Sequence, residues 1–174
     1  MEFNFTESQK RGYDAMMSGR NVVFSGDAGT GKSYTIEKFI SSARAAKKNV
    51  LITAPTGVAA LNVGGSTVHR TFKIPLKPLV EPPKFISQVL KGADIIIIEE
   101  IGMCRFDVFN YIAYQILAEN KKRAETLIKD PIQLIVSGDF FQLPPVMTDD
   151  DRKVLEDYYG FSIKVGYAFL SALW

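Results

Sequence analysis

The sequence contains very little cysteine and histidine. Its 174 residues include one cysteine, Cys104, and one histidine, His69, which excludes an internal disulfide and a zinc site built from cysteine and histidine ligands. The cysteine count makes a reducing compartment the default expectation but permits others. No apolar run approaches the roughly twenty residues that span a bilayer, so we expect no membrane partner.

The chain also lacks a strong net charge of either sign. Its 21 basic and 19 acidic side chains give a formal net charge of +2, and so weak an overall field would attract polyanions only slightly. Any nucleic-acid surface must therefore be a local groove. Hydrophobic residues make up 47% and charged residues 23%, which is ordinary for a soluble globular protein, and the length suits one domain.

A glycine-rich segment fits the pattern G-x-x-x-x-G-K-[ST], which binds phosphate groups. It consists of Gly26, Asp27, Ala28, Gly29, Thr30, Gly31, Lys32 and Ser33, and is followed by Tyr34. The apolar segment 21–25 before it predicts a buried strand, and apolar positions at helical spacing after it predict a helix. This order brings backbone N–H groups to phosphate oxygens at a helix N-terminus. The sequence therefore predicts a nucleotide site in which Lys32 reaches the phosphates and Ser33 holds Mg²⁺.

Two carboxylates, Glu99 and Glu100, follow the apolar segment 93–98, which ends in four isoleucines. Four isoleucines in succession cannot alternate between core and solvent, so they predict a strand buried on both faces, as in the middle of a parallel sheet. In P-loop enzymes the first such acid holds Mg²⁺, and the second orients or deprotonates the attacking water. Gln142 follows another predicted strand and could report the γ-phosphate through one hydrogen bond.

The remaining patterns predict a mostly parallel α/β sheet with helices on both faces and the nucleotide at the carboxyl ends of the strands. The proline-rich segment 74–83 predicts an extended surface loop. Further helices are predicted over about 7–18, over 106–129 (as one helix or two) and from Asp149, and further strands over 49–54 and 132–139.

Gln9 and His69 each have a structural and a functional interpretation. Residues 6–9 fit a capping box, in which the Gln9 amide bonds to the backbone of Thr6, but the same amide could bond both edges of an adenine. The segment 64–72 predicts either a turn and an amphipathic helix, or a surface where hydroxyls meet phosphates while His69 and Phe72 meet bases. The residue pattern alone favours the structural interpretation of both.

Taken together, these motifs resemble the first RecA-like domain of the PIF (petite integration frequency) helicases, in the B branch of superfamily one. The most specific parts are Thr-Gly-Val-Ala-Ala, from Thr56, and Gly-Asp-Phe-Phe-Gln-Leu-Pro-Pro-Val, from Gly138. The resemblance covers nearly the whole chain and implies a single RecA-like domain over residues 1–174. It implies ATP-driven 5′-to-3′ movement on single-stranded DNA and unwinding of duplexes, with Mg²⁺ as the metal.

The resemblance also implies roles for individual residues. Gln9 would contact adenine, Lys32, Glu100 and Gln142 would be catalytic, and Ser33 and Glu99 would hold Mg²⁺. The segments that would line the DNA path contain Thr56, Gly57, Thr67 and His69, to which the residue pattern adds Phe72. The resemblance thus favours the functional interpretation of Gln9 and His69 over the structural one. The family usually has aspartate where Glu99 stands and serine where Gly102 stands, so we expect Mg²⁺ to bind with altered geometry.

The resemblance further implies DNA junctions or G-quadruplexes as partners, and a second RecA-like domain that supplies arginine fingers. Nothing in this sequence could be that domain, so we expect a truncated fragment, monomeric by default, that binds nucleotide, hydrolyses it poorly and unwinds nothing. An intracellular location is expected: the cytoplasm in a bacterium or virus, and the nucleus or mitochondrion in a eukaryote. Two other functions stay open, a small-molecule phosphotransferase and a non-catalytic nucleic-acid-binding module.

Overall fold

A computed structural model describes residues 4–174, and in this range five parallel strands form one sheet in the order β1-β5-β4-β2-β3. The strands are β1 (Val22–Ser25), β2 (Val50–Ala54), β3 (Ser66–Thr67), β4 (Ile95–Ile98) and β5 (Gln133–Gly138). The helices are α1 (Glu7–Met17), α2 (Lys32–Ala45), α3 (Gly57–Asn62), α4 (Val68–Phe72), α5 (Phe106–Thr126) and α6 (Asp149–Tyr159). Within the described range, no helix has both the length and the hydropathy of a membrane span.

The central strand β4 divides the core into two layers. Ile95 and Ile97 pack with Phe39 and other residues of α1 and α2 on one face of the sheet. Ile96 and Ile98 pack on the other face, in a cluster that includes Ile112 of α5. All four isoleucines are buried, which confirms the predicted strand covered on both faces. Helices therefore flank a parallel sheet, as the sequence predicted, and β4 delivers Glu99 to the middle of its carboxyl edge.

The predicted helices are present, and the structure decides the question left open for α5. This helix runs without a break from Phe106 to Thr126, so the predicted break is absent. The predicted solvated face is also wrong in part, because Glu119 and Arg123 are buried. The Arg123 guanidinium donates to the carbonyl oxygens of Leu90 and Ala93. Helix α6 begins at Asp149, after Thr148 caps it by accepting a hydrogen bond from the Asp151 N–H. The strand β3 was not predicted, because two residues are too few for a periodic pattern.

The proline-rich segment 74–83 contains no helix or strand, as predicted, but it is anchored at two points. Ile74 and Leu79 are buried in the same cluster as α5. The Leu79 N–H donates to the carboxylate of Asp107, 2.9 Å away, at the start of α5. The segment is therefore held in place beside the carboxyl edge of the sheet.

Candidate nucleotide-binding site and adjoining surface

The strand order brings three distant segments of the chain together at the carboxyl edge of the sheet. The glycine-rich loop follows β1, residues 139–142 follow β5, and Glu99 and Glu100 follow β4. Because β1, β5 and β4 are neighbours in that order, the phosphate-binding motif, both carboxylates and Gln142 converge. The structure thus brings these predicted site residues to neighbouring strand ends.

The glycine-rich loop closes around the ammonium group of Lys32. Its Nζ donates to the carbonyl oxygens of Gly26, at 2.6 Å, and Asp27, at 2.7 Å. Gly29 and Gly31 have φ angles of 75° and 80°, in the region that favours glycine. The loop leads directly into α2, whose first-turn N–H groups provide partial positive charge. This arrangement fits a phosphate group, with Ser33 exposed in the same first turn.

Gln9 joins α1 to the glycine-rich loop. Its Oε1 accepts a hydrogen bond from the Thr6 N–H, at 2.9 Å, while its Nε2 donates to the carbonyl oxygen of Thr30, at 3.0 Å. The capping box predicted from the spacing is therefore present. Tyr34 lies nearby on the first turns of α2, with the Lys38 ammonium 5.0 Å from its ring centroid. Gln9, proposed to contact adenine, thus borders the loop, as does Tyr34. The Gln9 amide already uses its oxygen and one of its two N–H groups.

Glu99 is a buried carboxylate, with 6% of its surface exposed. Its backbone N–H extends the pairing of the sheet by donating to the Thr53 carbonyl, at 2.9 Å. Burial raises the pKa of the Glu99 carboxyl, and the charge of Glu100 raises it further, whereas Ser137 and the Lys32 ammonium lower it. The buried Ser137 hydroxyl nevertheless makes no hydrogen bond of standard geometry with any of the described residues. Glu99 therefore has few groups that stabilise its charge.

Glu100 has a strained backbone conformation. Its φ and ψ angles of 54° and 42° lie in the left-handed region, which costs a residue with a Cβ on the order of 1–3 kcal/mol. The carbonyl oxygen of Glu100 accepts a hydrogen bond from the Met103 N–H in the helical turn that follows. At this turn the chain leaves the fully buried strand β4, and Glu100 itself is half-buried.

Asp139 is a site residue that the individual residue assignments omitted. The Phe141 N–H and the Gln142 side-chain amide both donate to its carboxylate, at 2.9 Å and 3.0 Å. These two bonds lower the pKa of Asp139 against the opposing effect of burial, and Lys32 and the Ala28 N–H lower it further. The aspartate thus couples Gln142 to the glycine-rich loop. Its place directly after a buried strand was the signal available in the sequence.

Four of the five residues proposed to contact DNA line two pockets. Thr56 and His69 border one of about 330 Å³, together with Lys77, Arg105 and Val146. Gly57 and Thr67 border another of about 650 Å³, which also exposes the basic side chains Arg70 and Lys73. The set predicted as one DNA-contacting surface is therefore divided between two concave regions. The sequence did not predict Lys77 or Arg105 as residues of a DNA-contacting pocket.

The hydroxyl groups of Thr56 and Thr67 have structural partners. The first accepts a hydrogen bond from the Ala59 N–H and caps α3, and the second accepts from the Arg70 N–H and caps α4. Burial lowers the pKa of His69, the charge of Arg105 lowers it further, and Asp107 opposes both. His69 is therefore a neutral imidazole at neutral pH.

The prediction that Phe72 contacts DNA is wrong. Its side chain is fully buried, with 0% of its surface exposed, and it belongs to the core cluster between the sheet and α5. The position ends a five-residue helix whose apolar face packs inward. The basic and aromatic character of the segment gave no indication of which face each side chain would take.

Comparison with known proteins decides the family. The model of the PIF1-like helicase family matches residues 4–169. The chain belongs to this family. It is 33% identical over 174 residues to an ATP-dependent DNA helicase Pif1 of Psychrobacter, covering 95% of this chain and 24% of the relative. It is 36% identical over 146 residues to ATP-dependent DNA helicase PIF1 of Danio rerio, covering 80% of this chain and 22% of the relative.

A solved PIF1-like structure shares the fold. A Bacteroides Pif1 helicase in complex with ADP-AlF3 and ssDNA superposes with a TM-score of 0.77 at 30% identity, covering 99% of this chain and 40% of that one. The fold is therefore RecA-like, as the resemblance implied. The chain spans about a quarter of the length of the two curated relatives and two-fifths of the solved one.

The structure explains why glycine occupies position 102, where the PIF family usually has serine. A Cβ atom at Gly102 would overlap the carbonyl oxygen of Asp139. The turn after Glu100 thus packs against the segment after β5 so closely that only glycine fits without a shift. A serine here, as is usual in the family, would require the backbone on one side to move.

Proposed function

We propose that the chain is the first RecA-like motor domain of an ATP-dependent DNA helicase that moves 5′ to 3′ along single-stranded DNA. The observation that carries this proposal is the convergence of Lys32, Glu99, Glu100 and the Asp139–Gln142 pair at neighbouring strand ends. Generic phosphate binding would need only the loop and Lys32. The two carboxylates and a glutamine coupled to the loop supply the further groups that hydrolysis requires.

Each of these side chains has a role that its position supports. Lys32 exchanges the carbonyl oxygens of Gly26 and Asp27 for phosphate oxygens, because the anion attracts the ammonium more strongly than neutral carbonyls do. Glu100 accepts a proton from the attacking water, and Gln142 reports the γ-phosphate to Asp139. Gln9 and Tyr34 border the place for adenine.

The donor set near Lys32 fits Mg²⁺. Ser33 offers a hydroxyl and Glu99 a carboxylate, and oxygen atoms of these kinds are the ligands that Mg²⁺ prefers. When bound, the ion supplies positive charge that neutralises the phosphates. A buried Glu99 with little other stabilisation of its charge suits a partner cation.

The DNA partner of this domain is proposed to be single-stranded. Thr56, Gly57, Thr67 and His69 line pockets that also present basic side chains, and the Bacteroides relative was solved with single-stranded DNA. DNA junctions or G-quadruplexes, a second RecA-like domain, a monomeric state and an intracellular location belong to the same proposal. Since an arginine finger is worth roughly 10³–10⁵ in rate, the chain alone should hydrolyse ATP slowly and unwind nothing.

The decisive test measures nucleotide binding and ATP hydrolysis with and without single-stranded DNA, beside a full-length PIF1-like relative. Lys32→Ala should abolish nucleotide binding, whereas Glu100→Gln should keep it and lower the residual hydrolysis at least about 10²-fold. Lys121→Ala, on the exposed part of α5, is the matched control and should behave as the unmodified chain.

A strong response to DNA in the relative alone would support a motor domain that needs its partner domain. Fast hydrolysis by this chain that ignores DNA would contradict the proposal and favour a phosphotransferase. Weak DNA binding by the chain should fall with salt at a slope of about 0.7 per phosphate neutralised.

A further inference from the structure

The hydroxyl group of Ser137 is buried without a partner. Its residue is 1% exposed, and its Oγ is the only buried side-chain oxygen or nitrogen in the described residues that makes no hydrogen bond. An orphaned buried hydroxyl lowers stability relative to a methyl group of similar size. Native proteins keep few of them, and each calls for a physical reason.

The position of Ser137 gives that reason. Ile98 of β4 lies opposite Val136 of β5 in the parallel register, so the next residue on each strand brings Glu99 and Ser137 together. The buried, unpartnered hydroxyl of Ser137 thus lies beside Glu99, the buried carboxylate proposed to hold the metal.

We propose that Ser137 is a positioning residue for Glu99, whose carboxylate accepts a hydrogen bond from the Ser137 hydroxyl when Mg²⁺ and nucleotide are bound. The proposal rests on the function proposed above. Glu99 is one methylene longer than the aspartate usual in the family, so its carboxylate has one more rotatable bond to fix. A donor at its side limits that freedom. Without ligand the bond is unmade, and the hydroxyl is left orphaned.

This role predicts opposite effects of one substitution on stability and on binding. Ser137→Ala removes an unsatisfied hydroxyl, so the urea midpoint of the ligand-free chain should be unchanged or higher. The same change should weaken the Mg²⁺-dependent part of the affinity for a fluorescent ADP analogue roughly tenfold or more, as expected for a hydrogen bond to a charged group. A serine that only fills space would alter both quantities in the same direction.

A double-mutant cycle tests whether Ser137 affects the Mg²⁺-dependent affinity through Glu99. With Glu99→Ala as background, the further change Ser137→Ala should leave the Mg²⁺-dependent affinity unaltered, because the acceptor is already gone. Ser137→Cys, which keeps a weak donor of similar shape, should lie between serine and alanine. Affinity measured in EDTA should be the same for all these variants.

The outcomes separate this inference from the proposed function. If the unmodified chain gains affinity from Mg²⁺ and Ser137→Ala gains equally, the positioning role is wrong and the proposed function stands. Equal effects of Ser137→Ala in the presence and absence of Glu99 would also overturn it. If the unmodified chain gains nothing from Mg²⁺, the proposed nucleotide site fails and the positioning role fails with it.

Discussion

Arg105 and Asp107 form a two-point ion pair at the start of α5. The distances are 2.6 Å from Nε to Oδ1 and 2.8 Å from Nη2 to Oδ2, and the Asp107 side chain is 0% exposed. Arg105 also contacts Asp151 of α6, at 2.7 Å, while Asp107 holds the N–H of Leu79. The pair therefore joins α5, α6 and the proline-rich segment that borders the His69 pocket.

Removing Asp107 should destabilise the protein strongly. Asp107→Ala leaves a largely buried guanidinium with one partner fewer and an orphaned Leu79 N–H, for which a loss of about 3–5 kcal/mol in the free energy of unfolding is expected. Urea denaturation measures it. Asp151→Ala is the matched control, because Asp151 is 27% exposed on its side chain, and its loss should be about 1 kcal/mol or less. Similar losses of unfolding free energy for the two variants would show that the two-point geometry of the Arg105–Asp107 pair adds no stability.

Two glycines of the phosphate-binding loop should differ in their tolerance of alanine. Both have positive φ angles, so each substitution should cost about 1–2 kcal/mol in unfolding free energy. A Cβ at Gly31 would also overlap Nε2 of Gln9, whereas nothing lies within 4 Å of one at Gly29. Gly31→Ala should therefore cost about 1 kcal/mol more, the worth of the displaced Gln9–Thr30 hydrogen bond. In a Gln9→Ala background the two variants should become equal, and a persistent difference would point elsewhere.

Phe72 should matter for stability and not for DNA contact. Phe72→Ala empties a fully buried site and should lower the free energy of unfolding by about 3–5 kcal/mol. The conservative change Phe72→Leu should leave the affinity for a single-stranded oligonucleotide unchanged wherever the chain is folded. Phe141→Ala is the control, since Phe141 is 93% exposed and its loss should change stability by less than about 0.5 kcal/mol. Weaker DNA binding by folded Phe72→Leu would contradict this assignment.

His69 should titrate below the ordinary histidine value of 6.5, because burial and Arg105 lower its pKa. As the only histidine in the chain, it gives a single imidazole signal in an NMR titration. The neutral form is favoured in the folded state, so its stabilising contribution is full above pH 6.5 and is lost as the pH falls from there through the lowered pKa. A midpoint at or above 6.5 would contradict the described environment.

Glu100→Gly should stabilise the fold while removing activity. Glycine adopts the left-handed conformation of Glu100 without strain, so the free energy of unfolding should rise by about 1 kcal/mol. ATP hydrolysis should fall to background, because the carboxylate is gone. Glu100→Gln, which keeps the side-chain length and the strain, should lose hydrolysis without gaining stability. A destabilised Glu100→Gly would show that the turn depends on the side chain.

The sequence did not predict which distant residues become partners or which face of a short helix is buried. The four isoleucines of β4 identified the central strand because burial on both faces leaves a continuous apolar run. Phe72 could not be placed, since a five-residue helix has too few positions to define its buried face. Arg105 and Ser137 gave no local signal, because their partners come from other elements and are set by the strand order. Gln9 shows that one amide can satisfy a cap and a loop contact together.

The strand order also has a consequence for how the chain acquires its fold. Asn21, beside β1, bonds to Leu134 of β5 across 113 residues, and in the described sheet β1 pairs with no other strand. Such distant contacts slow folding because the intervening loop must close first. During synthesis, the strand that carries the phosphate-binding loop emerges long before its partner exists. Nucleotide can therefore stabilise this fold only after β5 has been synthesised and has paired with β1.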